Sequence, residues 1–152
     1  MIFAASFLRC PHPLLPWARY LPLPGSLLNS AALLNLLCVG PGASPALLEL
    51  LRAEIRQLPH DLLRARLRSL SELQEPTRPL ELPTLHLLPR QDRLVSRSAL
   101  ALHKHCRDLQ EVELDGPHFL LQSQPAACAR AISAFMFSLE QQRHTPEVDT
   151  TH

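Results

Sequence analysis

The spacing of apolar and polar positions changes several times along the chain, and each change marks an element. Residues 2–8 (IFAASFL) are a short apolar run, followed by Arg9 and then Pro11, Pro13 and Pro16. A run that short with prolines behind it predicts a buried strand. Residues 9–25 are proline-rich but carry leucines, Trp17 and Tyr20, which predicts an ordered connector rather than a solvated linker. From 27 to 73 the period becomes helical. A first piece covers 31–38 and is closed by Gly40-Pro41-Gly42. A second starts at Ser44, a good N-cap, with Pro45 at its first position. Leu47, Leu48, Leu51, Ile55 and Leu58 give it one apolar face, and Pro59 stops it. A third helix begins at Asp61, with Leu63, Leu67 and Leu70 on one side and Arg64, Arg66 and Arg68 largely on the other, a solvated face.

Residues 73–82, with Pro76 and Pro79, read as a loop, and 83–88 (PTLHLL) as a second strand. Residues 98–106 are expected to be helical. The stretch 109–114 (LQEVEL) alternates apolar and polar, the pattern of a half-buried strand. A loop at 115–119 leads to a last helix near Gln124 and Pro125, with Cys128, Ile132, Phe135, Met136 and Leu139 as its stripe. Residues 144–152 form a polar, flexible tail. The order strand, helical block, strand, helix, strand, helix predicts an α/β fold. Its sheet is mainly parallel, covered on both faces and joined by right-handed crossovers.

Composition narrows the function classes. The 152 residues are enough for one domain, and 46% hydrophobic with 19% charged residues excludes a disordered chain. There are 34 leucines and 15 prolines but only 4 glycines, a mixture of helices and frequent breaks. A formal charge of +1 argues against nucleic acid as a partner. No stretch reaches the ~18 uninterrupted apolar residues of a membrane span, so no membrane partner is expected. The N-terminal run lacks the basic flank of a signal peptide. Cys10, Cys38, Cys106 and Cys128 lack the close spacing of a zinc or redox pair and are expected to be reduced thiols of a cytoplasmic protein. His103, His105 and Cys106 do not share a helix face, so no metal or other cofactor is expected.

Open α/β sheets hold their ligands beyond the carboxyl ends of the strands. Two titratable residues lie there. Asp92 follows the 83–88 strand in a turn, with Leu94 and Val95 just behind it. His118 follows the 109–114 strand in another turn. On neighbouring strands the two project from the same end of the sheet. An acid that orients a histidine fixes its tautomer and stabilises the imidazolium formed in general-base catalysis.

Pro83-Thr84-Leu85-His86-Leu87-Leu88 followed by Gln91-Asp92-Arg93-Leu94-Val95 resembles the penultimate strand and acid turn of α/β-hydrolases. Gly116-Pro117-His118-Phe119-Leu120, then Gln124-Pro125, resembles their histidine loop and last helix. The likeness extends over about residues 1–140 and is nearest to small bacterial esterases of the pimeloyl-carrier methyl ester type. It implies the carboxyl-terminal part of an α/β-hydrolase fold: residues 1–143 as one domain, with a helical lid insertion at about 25–78, and 144–152 as a tail. It further implies a hydrolase of esters or thioesters, acting on a small acyl substrate, with Asp92 as triad acid and His118 as general base. Pro89 stands where many relatives have glycine, a departure in the acid turn.

The larger departure is the nucleophile. The family places it in G-x-S-x-G on a sharp strand-to-helix turn, and this chain has no such motif. Ser44, in Gly42-Ala43-Ser44-Pro45, lacks the second glycine and the preceding strand. In the family, nucleophile and oxyanion loop precede the strand that 2–8 resembles. The expectation is therefore a hydrolase half that is inactive alone, with an amino-terminal half missing, or an oligomer. The alternative is a non-catalytic interaction module whose leucine-rich helices bury against a partner. Trp17, Tyr20 and the leucine faces of the lid are candidate walls of an acyl pocket, with plain packing as their competing role.

Overall fold

In the computed structural model, which describes residues 1–18, 30–40 and 42–144, β2 (Thr84–Pro89) is the centre of a three-stranded sheet ordered β1-β2-β3. β1 is Ile2–Ala4 and β3 is Leu109–Leu114. Both flanking strands run parallel to β2, with Phe3 opposite His86 and His86 opposite Glu111. A middle parallel strand is covered on both faces, and β2 is: Thr84, Leu85, His86 and Leu87 are all buried.

The helices among the described residues, in chain order, are α1 (Leu15–Ala18), α2 (Ala31–Leu34), α3 (Pro45–Gln57), α4 (His60–Ser71), α5 (Leu120–Ser123) and α6 (Pro125–His144). Between α2 and α3 the chain makes a π-helical turn, Asn35–Val39. Ser44 caps α3 as expected: its Oγ accepts from the Leu47 N–H at 3.2 Å, and Pro45 occupies the first position, where a missing N–H costs nothing. α6 covers one face of the sheet. Leu85 and Leu87 pack there with Leu120, Cys128 and Phe135, and Ile132 and Leu139 close the edges. Met136, expected in this stripe, is 46% exposed.

The opposite face is covered differently. Residues 98–106, expected as a helix, form successive turns: Ala99 and Leu100 N–H groups both bond the Ser96 carbonyl, and the His105 and Cys106 N–H groups both bond that of Leu102. Cys106 then forms a parallel bridge with Leu80, which pulls this end of the segment alongside the loop before β2. Ala99, Leu100, Leu102 and Cys106 are buried. The β2-to-β3 crossover is thus made by packed turns.

Two further boundaries differ from expectation. β1 ends at Ala4 rather than Leu8, because Ala5 takes a positive φ of 48°, which no strand accommodates. The helix expected over 31–38 is α-helical only to Leu34 and then widens into the π turn. Tyr20, residues 25–29 of the expected lid, and most of the expected tail lie outside the described residues.

His86 and Thr84 are buried polar side chains in the core, and His86 is the one that can carry a charge. It is fully buried, and neither ring nitrogen has a well-formed hydrogen bond among the described residues. Glu111 Oε1, on the neighbouring strand, lies 3.5 Å from its Nδ1. Burial drives its pKa below the usual histidine value, and Glu111 opposes that only in part. β3 carries its charges outward, with Glu113 bonded by Arg97 at 2.7 Å and Arg90 at 3.5 Å, a common protection for an edge strand. No helix among the described residues is long and apolar enough to cross a membrane.

Candidate active site

The sheet register continues past the ends of β2 and β3, and this sets the site. The Arg90 N–H bonds the Leu114 carbonyl at 2.9 Å, and the Gln91 N–H bonds the Gly116 carbonyl at 3.0 Å. Gln91 Nε2 also donates to Asp115 Oδ1 at 2.8 Å. The two turns are therefore laced together, and Asp92 and His118 emerge side by side at the carboxyl end of the sheet, as expected from their positions. Asp115 acts as a surface tie between the turns.

Nδ1 of His118 lies 2.8 Å from Oδ2 of Asp92. An ionised carboxylate can only accept, so the contact selects the tautomer with hydrogen on Nδ1. The other carboxylate oxygen is also used. Asp92 Oδ1 accepts from the Leu94 N–H at 2.8 Å and the Val95 N–H at 2.9 Å. Such an Asx turn is what a short acidic side chain at a strand end makes with its own backbone. The Asp92 side chain is 2% exposed and that of His118 17%. Nε2 of His118 makes no hydrogen bond among the described residues, so the ring keeps an unused nitrogen opposite its anchored one.

The histidine loop is tightly seated. A Cβ on Gly116 would sit 2.8 Å from Leu120 Cδ1 and 3.0 Å from Gln124 Cγ, so only glycine allows this approach to the start of α5. The Phe119 ring meets His118 edge to face, with centroids 5.7 Å apart.

Cys38 is a neighbour that sequence reasoning passed over. It sits in the π turn, and its thiol is pushed above the usual cysteine value, first by burial and then by the Asp92 carboxylate. No local pattern marks it, because the contact joins the helical block to the acid turn. All four cysteines have free thiols. Ser44 has its hydroxyl committed to the α3 cap. Trp17 is 70% exposed. Among the described residues no group of three or more metal-binding side chains converges.

Chemically, the pair can accept a proton at Nε2 while Asp92 stabilises the resulting imidazolium. A further group must present the proton to be taken.

No protein-family model matches the chain, and no curated protein matches it. Among solved structures it is similar to a thermophilic esterase, with a TM-score of 0.70 and 15% sequence identity. The match covers 91% of this chain and 56% of the esterase, so the chain spans little more than half of that protein's length. At that identity the likeness is one of fold: this chain has an α/β fold similar to that esterase's, a parallel three-stranded sheet with flanking helices.

Proposed function

We propose that Asp92 and His118 are the acid and base of a Ser-His-Asp mechanism that hydrolyses an ester or thioester of a small acyl group. The nucleophilic serine comes from polypeptide outside these 152 residues. His118 Nε2 takes the serine proton as Oγ attacks the carbonyl carbon. The imidazolium then protonates the departing alkoxide or thiolate, leaving an acyl-serine. In the second half His118 takes a proton from water, the new hydroxide displaces the serine, and the proton returns to Oγ. Asp92 holds Nδ1–H throughout. The observation that carries this reading is the 2.8 Å contact to a carboxylate whose other oxygen is held by two backbone N–H groups. In this reading residues 1–143 are the carboxyl part of one cytoplasmic hydrolase domain, with the helical block as its lid.

The test is the intact mass of the native protein together with hydrolysis of short p-nitrophenyl esters. A mass near a whole hydrolase, with activity abolished by Asp92→Asn and by His118→Ala, supports the proposal. A native mass of 17.0 kDa with no companion chain carrying a serine elbow defeats it. The second reading, a non-catalytic interaction module, is favoured by one observation: Leu14, Trp17, Leu36, Leu50 and Leu62 are large apolar side chains at least 48% exposed.

A further inference from the structure

The π-helical turn Asn35–Val39 and Gly40 touch the chain on both sides of His118. On one side, the Phe119 N–H donates to the Cys38 carbonyl at 2.9 Å. On the other, Gly40 lies against buried Pro117: a Cβ placed on it would meet Pro117 Cβ at 3.3 Å and Cγ at 3.4 Å. The turn is built for this. The last carbonyls of a helix lack internal partners, so that of Cys38 is free to accept from another element. The Gly40 N–H closes the wide turn on the Asn35 carbonyl at 2.7 Å. Gly40 then takes φ +75°, in the left-handed region, which brings its bare backbone onto the proline. The same turn lies near the acid: burial first, and then the Asp92 carboxylate, push the Cys38 thiol above the usual cysteine value.

We infer that this turn is a positioning device for His118: by gripping residues 117 and 119 it holds the imidazole in register with Asp92. The helical block would then act on the base directly. The inference rests on the reading of Asp92 and His118 as acid and base, and it makes Gly40 and the Phe119 N–H positioning elements, neither of which touches a substrate.

The test reads the His118 tautomer by NMR in the full 152-residue chain labelled with 15N-histidine, the signal being assigned by its loss in His118→Gln. Gly40→Ala introduces the Cβ and the strained φ. Phe119→Pro removes the N–H at a residue whose φ of −76° suits proline, and Phe119→Ala removes the ring but keeps the N–H. Thermal melting establishes which variants fold, and if Gly40→Ala does not, the Phe119 pair decides. The expected result is the Nδ1–H tautomer in the parent and in Phe119→Ala, and its loss in Gly40→Ala and Phe119→Pro. A mere packing role lowers the melting temperature and leaves the tautomer alone, so a folded Gly40→Ala or Phe119→Pro that keeps Nδ1–H overturns the inference. Turnover does not enter this readout. Absence of ester hydrolysis in the native protein together with whatever polypeptide carries the serine, alongside the expected tautomer pattern in the 152-residue chain, counts against the proposed hydrolysis and leaves the clamp standing.

Discussion

Asp92 and His118 are 26 residues apart in the chain and 2.8 Å apart at Oδ2 and Nδ1. The distance is short because the ladder between β2 and β3 runs on into the two turns through Arg90 and Gln91. Asp92→Asn keeps an acceptor for the Leu94 and Val95 N–H groups but turns an N–H toward Nδ1. The ring must then carry its hydrogen on Nε2, where it cannot act as base. In the hydrolytically competent protein kcat is expected to fall about 10⁴-fold, as in serine proteases with that change. Steady-state kinetics on a p-nitrophenyl ester measures it.

Asp92→Ala is a different experiment. It leaves the Leu94 and Val95 N–H groups without an acceptor, at a cost of about 1–3 kcal/mol for each that stays buried. Urea melts should show Asp92→Ala clearly less stable than Asp92→Asn. Equal midpoints would mean that water replaces the carboxylate at no cost.

His86 makes the fold acid-sensitive. Its pKa is lowered by burial, so near and below pH 6.5 the unfolded chain binds a proton that the folded one refuses. Stability rises with pH wherever the unfolded state holds more protons. The His86 contribution is therefore complete above about pH 6.5 and declines as pH falls from there toward the lowered folded value. The slope is at most ~1.4 kcal/mol per pH unit for one group. His86→Leu, which removes the titrating ring, should flatten this part of a melting-temperature profile between pH 7 and 5.

Gly116→Ala should destabilise by about 1–3 kcal/mol, since its Cβ would press into Leu120 and Gln124. Denaturant unfolding reads this. A neutral result would show that the Gln124 side chain and the start of α5 yield freely.

Cys38 should alkylate more slowly with iodoacetamide at pH 8 than a free thiol, because burial and Asp92 both disfavour its thiolate. Removing the charge by Asp92→Asn should speed the reaction, and burial should keep it below the free-thiol rate. Peptide mass spectrometry over a time course follows Cys38 separately from Cys10.

Much of this arrangement was legible in the residues, for identifiable reasons. LQEVEL alternates at the period of a half-buried strand, and β3 has those bounds. Ser44-Pro45 announces the start of α3, and Pro125 that of α6. Asp92 and His118 could be placed together because parallel strands send their carboxyl ends the same way. What failed depended on tertiary pull. The 98–106 segment has helical residues but is unrolled by the Leu80–Cys106 bridge and by burial against the sheet. β1 stops where Ala5 turns to positive φ, which no residue type announces. The grip of the π turn on the histidine loop joins segments about 80 positions apart, and such pairing leaves no local pattern.

The sheet is closed unequally at its two sides. β3 presents Glu111 and Glu113 near its margin, whereas β1 is short, uncharged and flanked by the exposed side chains of Met1 and Ile2. Nothing among the described residues pairs with the outer margin of β1. Two identical copies related by a two-fold axis normal to the sheet would bring these margins together antiparallel, against the direction of every other pairing in it. Two-fold self-association there builds a mixed sheet of six strands, whereas a parallel strand beside β1 comes from other polypeptide or from the β3 margin of a further copy added head to tail. A parallel strand found beside β1 therefore excludes a two-fold dimer at that margin.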